Sequence, residues 1–300
     1  MTGSKAHFFQ QILPRDPRLF QIAALSTLLA FGITARAFAI EWIDIVAIVS
    51  AAMLAQWLGS VMNAVAFDWR SPLITALSLT LLLRADHPGA LALAALIAIG
   101  SKFALRARGK HLFNPANFGI VAMLLFSGAV WTTPGQWGTA IWLAAVMAGA
   151  GMFVVYRAAR LDVPLIFLGT FAALIIARAL WLGDPLQIPL LRLQNGALIL
   201  FAFFMISDPK TTPDGARARA AFSVAAALLA YWMSYHLFIQ DGLFYALALI
   251  CAVRPLLEMV DPAPLYQWRQ ARISPAPVAP LPAAPSAVAP RPPLPKVFHP

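Results

Sequence analysis

Charge is scarce in this 300-residue chain. Asp, Glu, Lys and Arg make up 11% of it, against 61% for hydrophobic residues. So few charges cannot cover the surface of a soluble domain, and the composition places the chain in a lipid bilayer. Cysteine is nearly absent. Cys251 stands alone, which excludes an internal disulfide, a four-cysteine zinc site and an iron–sulfur cluster held by this chain by itself. In an apolar run it reads as a small buried residue. The start of the sequence lacks a basic stretch leading through an apolar core to an Ala-x-Ala site, so no cleaved signal peptide is expected. Histidine pairs within the apolar runs are lacking too. No bis-histidine haem and no metal site is expected.

What is present is a series of apolar runs. They fall at about 20–38, 43–64, 71–84, 89–106 and 114–130, then at about 137–156, 163–182, 194–207, 217–235 and 242–258. A bilayer span needs roughly 20 residues. The third and eighth runs are shorter than that and hold equivalent places in two sets of five. The fold class read from this is an all-α integral membrane protein of ten transmembrane helices in two inverted five-helix repeats. An odd number of spans per set makes the second set insert upside down.

The formal charge of +10 has a membrane explanation rather than a nucleic-acid one. With the N-terminus inside, eighteen of the 22 Lys and Arg residues fall on the cytoplasmic side. Arg36, Arg84, Arg178 and Arg192 are the exceptions. Basic residues collect in cytoplasmic loops, so the expectation is a bacterial inner-membrane protein with both termini inside and no nucleic-acid partner. The organisation reads as a cytoplasmic segment 1–19, repeats at 20–130 and 131–260, and a Pro/Ala-rich tail at 261–300. Proline-dense sequence cannot form helix or sheet, so that tail is expected to be disordered. Within it, Pro292-Pro293-Leu294-Pro295 has the Pro-x-x-Pro spacing, which in so Pro-rich a segment is a weak docking signal.

Short matches support a duplication. His111-Leu112-Phe113 returns as His236-Leu237-Phe238, and Leu73-Ile74 returns as Leu198-Ile199, each 125 residues on. Asp86 and Asp208 end the two short runs. Paired short segments of this kind point to a binding site between repeats.

Two clusters could carry chemistry. Asn114-Pro115 is a helix start, with a capping side chain and a residue that has no N–H to leave unpaired. Lys110 and His111 precede it, and a helix N-terminus beside a lysine suits an anion. The run Ser207-Asp208-Pro209-Lys210-Thr211-Thr212-Pro213 sets a carboxylate, an ammonium and two hydroxyls in a turn between prolines. Both clusters fall on the cytoplasmic side in the charge-based topology. Lys110, Asn114, Asn117, Asp208, Lys210, Thr211 and Thr212 are therefore the candidate ligand-binding set. The plainer reading of each cluster is a helix cap and a tight turn. Arg178 and Asp44, inside apolar runs, read equally well as functional charges or as groups reaching the surface.

The residues also resemble a known family. Lys110-His111-Leu112-Phe113-Asn114-Pro115-Ala116 resembles a Lys-His-x-Phe-Asn-Pro-Ala segment of the NqrB/RnfD family. That family contains the NqrB subunit of the sodium-pumping NADH:quinone reductase and the RnfD subunit of the Rnf electron-transport complex. Ser71-Pro72-Leu73-Ile74-Thr75 resembles its Ser-x-Leu-Ile-Thr stretch. Ala202 to Pro213 resembles its Ala-Phe-Phe-Met-Ala-Thr-Asp-Pro-Val-Thr-Ser-Pro stretch. The resemblance implies two inverted five-helix repeats and electron transfer through flavins, coupled in full complexes to ion movement. Family members carry FMN on the threonine of a Ser-Gly-Ala-Thr motif. Here Ser127-Gly128-Ala129 is followed by Val130, and Thr132 and Thr133 are displaced, so no covalent FMN is expected.

The reading that results is a membrane subunit of an electron-transport system, with other such subunits as partners. It would hold a noncovalent flavin, FMN or riboflavin, as a flavin-bearing or non-catalytic member of an oxidoreductase complex. Two other readings stand beside it: a small-molecule or ion transporter with the same repeats and no redox role, and a structural or assembly subunit.

Overall fold

The computed structural model describes residues 16–268. The expected tail character of 273–300 and most of the 1–19 segment lie outside the described residues. The described chain is predominantly helical and contains no barrel. The first five helices are α1 (Pro17–Ala35), α2 (Trp42–Met62), α3 (Arg70–Leu82), α4 (Pro88–Ala104) and α5 (Pro115–Phe126). They are followed by α6 (Ile141–Arg157), α7 (Asp162–Leu182), α8 (Gln187–Leu193), α9 (Gly196–Leu200), α10 (Ala216–Tyr235) and α11 (Gly242–Val260). A π-helical turn, Phe201–Met205, continues α9. Every expected apolar run coincides with a helix. α8 is additional.

Three starts use one device. Asp16, His87 and Asn114 each accept a hydrogen bond from a backbone N–H of the first turn, and each is followed by a proline. The cap satisfies a free donor, and the proline has none to leave unpaired. Asp44, ambiguous in sequence, sits in the first turn of α2, where its carboxylate accepts from the Glu41 amide at 3.4 Å.

Among the described residues four helices, α1, α2, α7 and α11, are long and apolar enough to cross a membrane, and the α8–α9 pair, bent by 47°, has the length and apolarity of a fifth if it is one broken span. α3, α4, α5 and α6 are shorter. The thirteen residues of α3 rise only about 20 Å, against about 30 Å of hydrocarbon. The chain then continues as β1 (Leu83–Ala85), which pairs antiparallel with β4 (Val130–Thr132). The expected run 114–130 is thus helical only to Phe126, and its end is strand. Apolarity is common to both conformations and cannot separate them. Between these ladder strands lie β2 (Arg106–Ala107) and β3 (Lys110–His111), joined by the turn Arg108-Gly109. Both turn residues have positive φ, 52° and 79°, as a two-residue hairpin turn that follows the strand twist requires.

Helix packing follows a pattern. α2 packs on α4, α4 on α5 and α1 on α3. In the second set α7 packs on α10, α10 on α11 and α6 on α9. Across the sets, α1 meets α6 and α5 meets α11.

Candidate functional site

The α4–β2–β3–α5 connection and the turn after α9 meet. The β2–β3 hairpin brings Lys110 back under α5, where it is 3% exposed. Its ammonium donates to the Thr212 carbonyl at 2.7 Å and pairs with Asp214 Oδ2 at 2.9 Å and Glu258 Oε1 at 3.0 Å. Arg254 pairs with the same Glu258 oxygen at 2.8 Å, one helical turn away. Arg160 pairs with the other Asp214 oxygen at 2.9 Å. A buried charge is tolerated when it is paired and hydrogen-bonded. Here three cations share two carboxylates, one from the turn and one from α11.

Asn114 ties the halves through its side chain. Its Oδ1 accepts from the Asn117 amide, and its Nδ2 donates to the Met205 carbonyl at 3.2 Å. Met205 ends the π-helical turn, where carbonyls lose their intrahelical donors, and its carbonyl also accepts from the Asp208 amide at 3.4 Å. Asn117 is fully buried and donates to the Phe244 carbonyl of α11 at 3.0 Å.

The Asp208 turn is held from within. The Thr211 and Thr212 amides and hydroxyls all donate to the Asp208 carbonyl, and the Lys210 amide donates to Asp208 Oδ1 at 2.9 Å. Burial alone would raise the Asp208 carboxyl. Its neighbour His111, the Lys210 amide and Lys110 outweigh that and hold it below the ordinary carboxylate value. His111 Nε2 lies 3.7 Å from Asp208 Oδ2. The Lys210 ammonium donates to the Tyr266 carbonyl at 2.9 Å, and burial lowers its pKa.

Beside this junction lies a cleft of about 270 Å³. Lys110, His111, Asn114, Asp208 and Lys210 line it, together with Ser71 and Thr75 of α3. The structure therefore collects parts of all three resemblance motifs at one cavity. Asn117, Thr211 and Thr212 are fully buried behind it and do not line it. Lys110 reaches the wall, but its ammonium is committed to three acceptors.

Of the cations that remain, sequence reasoning selected Lys210 but not Lys102 or Arg106. Lys102, from the last turn of α4, donates to Gln56 Oε1 at 2.8 Å and Ser71 Oγ at 2.9 Å, both neutral. Arg106 donates to the Gly109 carbonyl. Among the described residues, Lys102, Arg106 and Lys210 have no carboxylate at ion-pairing distance, and all three line the cleft. Arg18 also lines it but is paired with Asp16 and Asp68. A lysine in the last turn of an apolar run is the signal the sequence offers. It reads first as a group reaching for the membrane surface, and that reading hides its place in the cleft.

One of these motifs, the Asp208 turn, lies in a stretch that known proteins share. Residues 125–265 match the NQR2, RnfD, RnfE family. The resemblance read from the motifs is thereby shown for the second half, including the Asp208 turn. The chain is 32% identical over 146 residues to the RnfD subunit of the ion-translocating oxidoreductase complex of Escherichia coli O1:K1 / APEC, covering 49% of this chain and 39% of that protein. The proteins of the same description from Escherichia coli O81 (strain ED1a) and O9:H4 (strain HS) are 31% and 30% identical over the same length. The match thus spans about two fifths of the length of these curated relatives.

Val130, which follows Ser127-Gly128-Ala129, is buried in β4. The Thr132 hydroxyl donates to the Asp241 carboxylate. Thr133 Oγ1 is buried with no hydrogen-bond partner among the described residues. Arg178 pairs with Asp184 at 3.6 Å and lies over the Tyr235 ring. Among the described residues no cluster of His, Cys, Asp and Glu has the grouping of a metal site.

Proposed function

We propose that this chain is a multi-pass inner-membrane subunit of an ion-translocating oxidoreductase complex, and that the shared cleft holds a noncovalent flavin. The observation that carries the reading is the convergence of three family-like motifs on one cleft whose Lys102, Arg106 and Lys210 have no carboxylate partner among the described residues. Charges left without counter-ions beside a cavity suit an anionic or strongly polar ligand. The Ser71 and Thr75 hydroxyls suit a hydroxylated chain, and Phe204 adds an apolar wall. This donor set fits an FMN phosphate or a riboflavin side chain.

When bound, a flavin supplies one- and two-electron chemistry. The protein's part is then to bind and position it. Lys102 and Lys210 would meet its polar group. The buried Lys110–Asp214–Glu258 network would hold the two halves, and so the two walls, in fixed relation. The charged Asp208, held by the Lys210 amide, would set the local field.

The reading includes ten spans in two inverted repeats with both termini in the cytoplasm. The packing pattern supports the duplication: in each set the second helix packs on the fourth, the fourth on the fifth and the first on the third, and like meets like across the sets. The shorter helices would cross together with the segments that extend them, as α3 is extended by β1. Reporter fusions after Pro300 and in the loop near Gly135 should read opposite sides of the membrane, and a common side would end the topology.

For the cofactor, the protein is purified in detergent, its visible absorbance is recorded and bound flavin is released with acid. A flavin band with acid-releasable pigment and no fluorescent band on a denaturing gel is expected. Colourless protein that takes up no added flavin would remove the redox reading.

A further inference from the structure

After α11 the chain does not leave the protein. Asp261 accepts from the Ala218 amide at 3.0 Å, over the start of α10. Gly215 makes this possible, because a Cβ there would collide with the Asp261 carboxylate. The next residues cross the buried network. The Tyr266 amide donates to Asp214 Oδ1 at 3.2 Å, its carbonyl accepts from Lys210, and Arg160 lies over its ring at 4.7 Å. Burial raises the Tyr266 hydroxyl to about 12, so the ring stays neutral against that guanidinium. Three anchors on one residue hold this strap against the turn.

Two positions later, Trp268 lines the cleft. The Tyr266 ring meets its indole edge-on at 5.2 Å, and the Arg18 guanidinium of α1 lies 5.0 Å over one face. The cleft has a second aromatic, Phe204 of the π-helical turn, and Lys102, Arg106 and Lys210 line the same space. Aromatic walls with cations between them suit a planar ring carrying a polar tail. Trp268 lies beyond the family match, which ends at 265.

We propose that Trp268 is a ligand-binding residue of the cleft, stacking a planar ring brought there by its polar tail, with the 262–268 strap as its mount. The inference rests on the flavin reading for the identity of the ring. The test is titration of riboflavin into the full-length, detergent-purified protein and its Trp268→Ala and Trp268→Phe variants, following affinity and the emission of the bound flavin. Stacking on an aromatic ring predicts about tenfold weaker binding for Trp268→Ala. Trp268→Phe should bind within about threefold of the parent, since an aromatic face remains. It should also emit more brightly, because the quenching indole is gone, and loss of fold alone would not produce that combination. Parent and Trp268→Ala binding alike, with equal emission, would overturn the inference and leave the flavin reading standing. Tighter binding by Trp268→Ala would overturn it in favour of a strap that blocks the cleft. A parent that binds no riboflavin would remove both.

Discussion

The two halves of this protein break their third apolar segment in different ways. In the first half, α3 stops at Leu82 and the chain becomes a strand paired with β4. Its last carbonyls are met by side chains: Arg84 donates to Thr80 and Leu83, and Gln136 donates to Leu81, each at 2.7 Å. In the second half, α8 and α9 meet at a bend, α9 widens into a π-helical turn, and the Asp208 turn closes on its own threonines. Away from water, every freed backbone group must find a partner. The first half answers with a ladder, the neighbouring Arg84 and one side chain from across the fold, Gln136. The second half answers with the Asp208 turn, helped by Asn114 and Lys110 of the first half, which meet the Met205 and Thr212 carbonyls. Both halves therefore wall the cleft, Ser71, Thr75 and Lys102 from the first and Asp208 and Lys210 from the second.

The contact that joins the halves should be the hardest to lose. Lys110→Ala leaves Asp214 and Glu258 buried with one cationic partner each. Breaking a buried pair from one side costs about 3–5 kcal/mol, so unfolding in detergent should show a loss of that order. A change under about 1 kcal/mol would mean that water enters the network and that the halves are held by apolar packing.

Gln136→Leu is a smaller cut, at the broken end of α3. It removes the partner of Arg84 Nη2 and the donor to the Leu81 carbonyl, both at 2.7 Å. Leaving such groups unmet costs about 1–3 kcal/mol. Because the Asp208 turn closes on its own threonines, flavin content should stay unchanged while stability falls. A matching loss of flavin would show that the two broken segments are coupled.

The smallest effect is on pH dependence. Burial lowers the Lys210 pKa from its ordinary 10.5. Its charge, and with it the attraction for an anion, is therefore lost as pH rises at a pH below 10.5. FMN affinity should fall through that window, and Lys210→Arg, which stays protonated, should move the fall upward. Affinity that declines equally in both proteins would take Lys210 out of the site.

The helices were largely legible because an apolar run of helical length in so apolar a chain has few other fates. The run expected as helix to Val130 stops at Phe126; its strand end is equally apolar and so reads the same in sequence. α8 was missed because Gln187 to Leu193 mixes polar residues and a proline into a short segment. Of the site, Asn114-Pro115 and the Asp208 turn announced themselves through cap and turn chemistry. Asn117, Thr211 and Thr212 share those motifs but face inward, an orientation that spacing cannot reveal. The partners of Lys110 were illegible for another reason: Asp214 and Glu258 are 104 and 148 residues away, and only the fold brings them to it. Arg254 and Glu258, four apart in the last apolar run, were the visible hint, since two opposite charges there must find company.

The central claim is that the halves share one flavin-binding cleft lined by cations that carboxylates do not neutralise. Equilibrium titration of FMN into purified protein and into a Lys102→Met, Lys210→Gln variant tests it most directly. These substitutions leave the Lys110 network untouched, so the variant should fold as the parent does. Saturable one-to-one binding by the parent, weakened at least about tenfold in the variant through the loss of two charge-assisted contacts, is the predicted result. Equal affinity in the two proteins, or no saturable binding by the parent, would contradict the account.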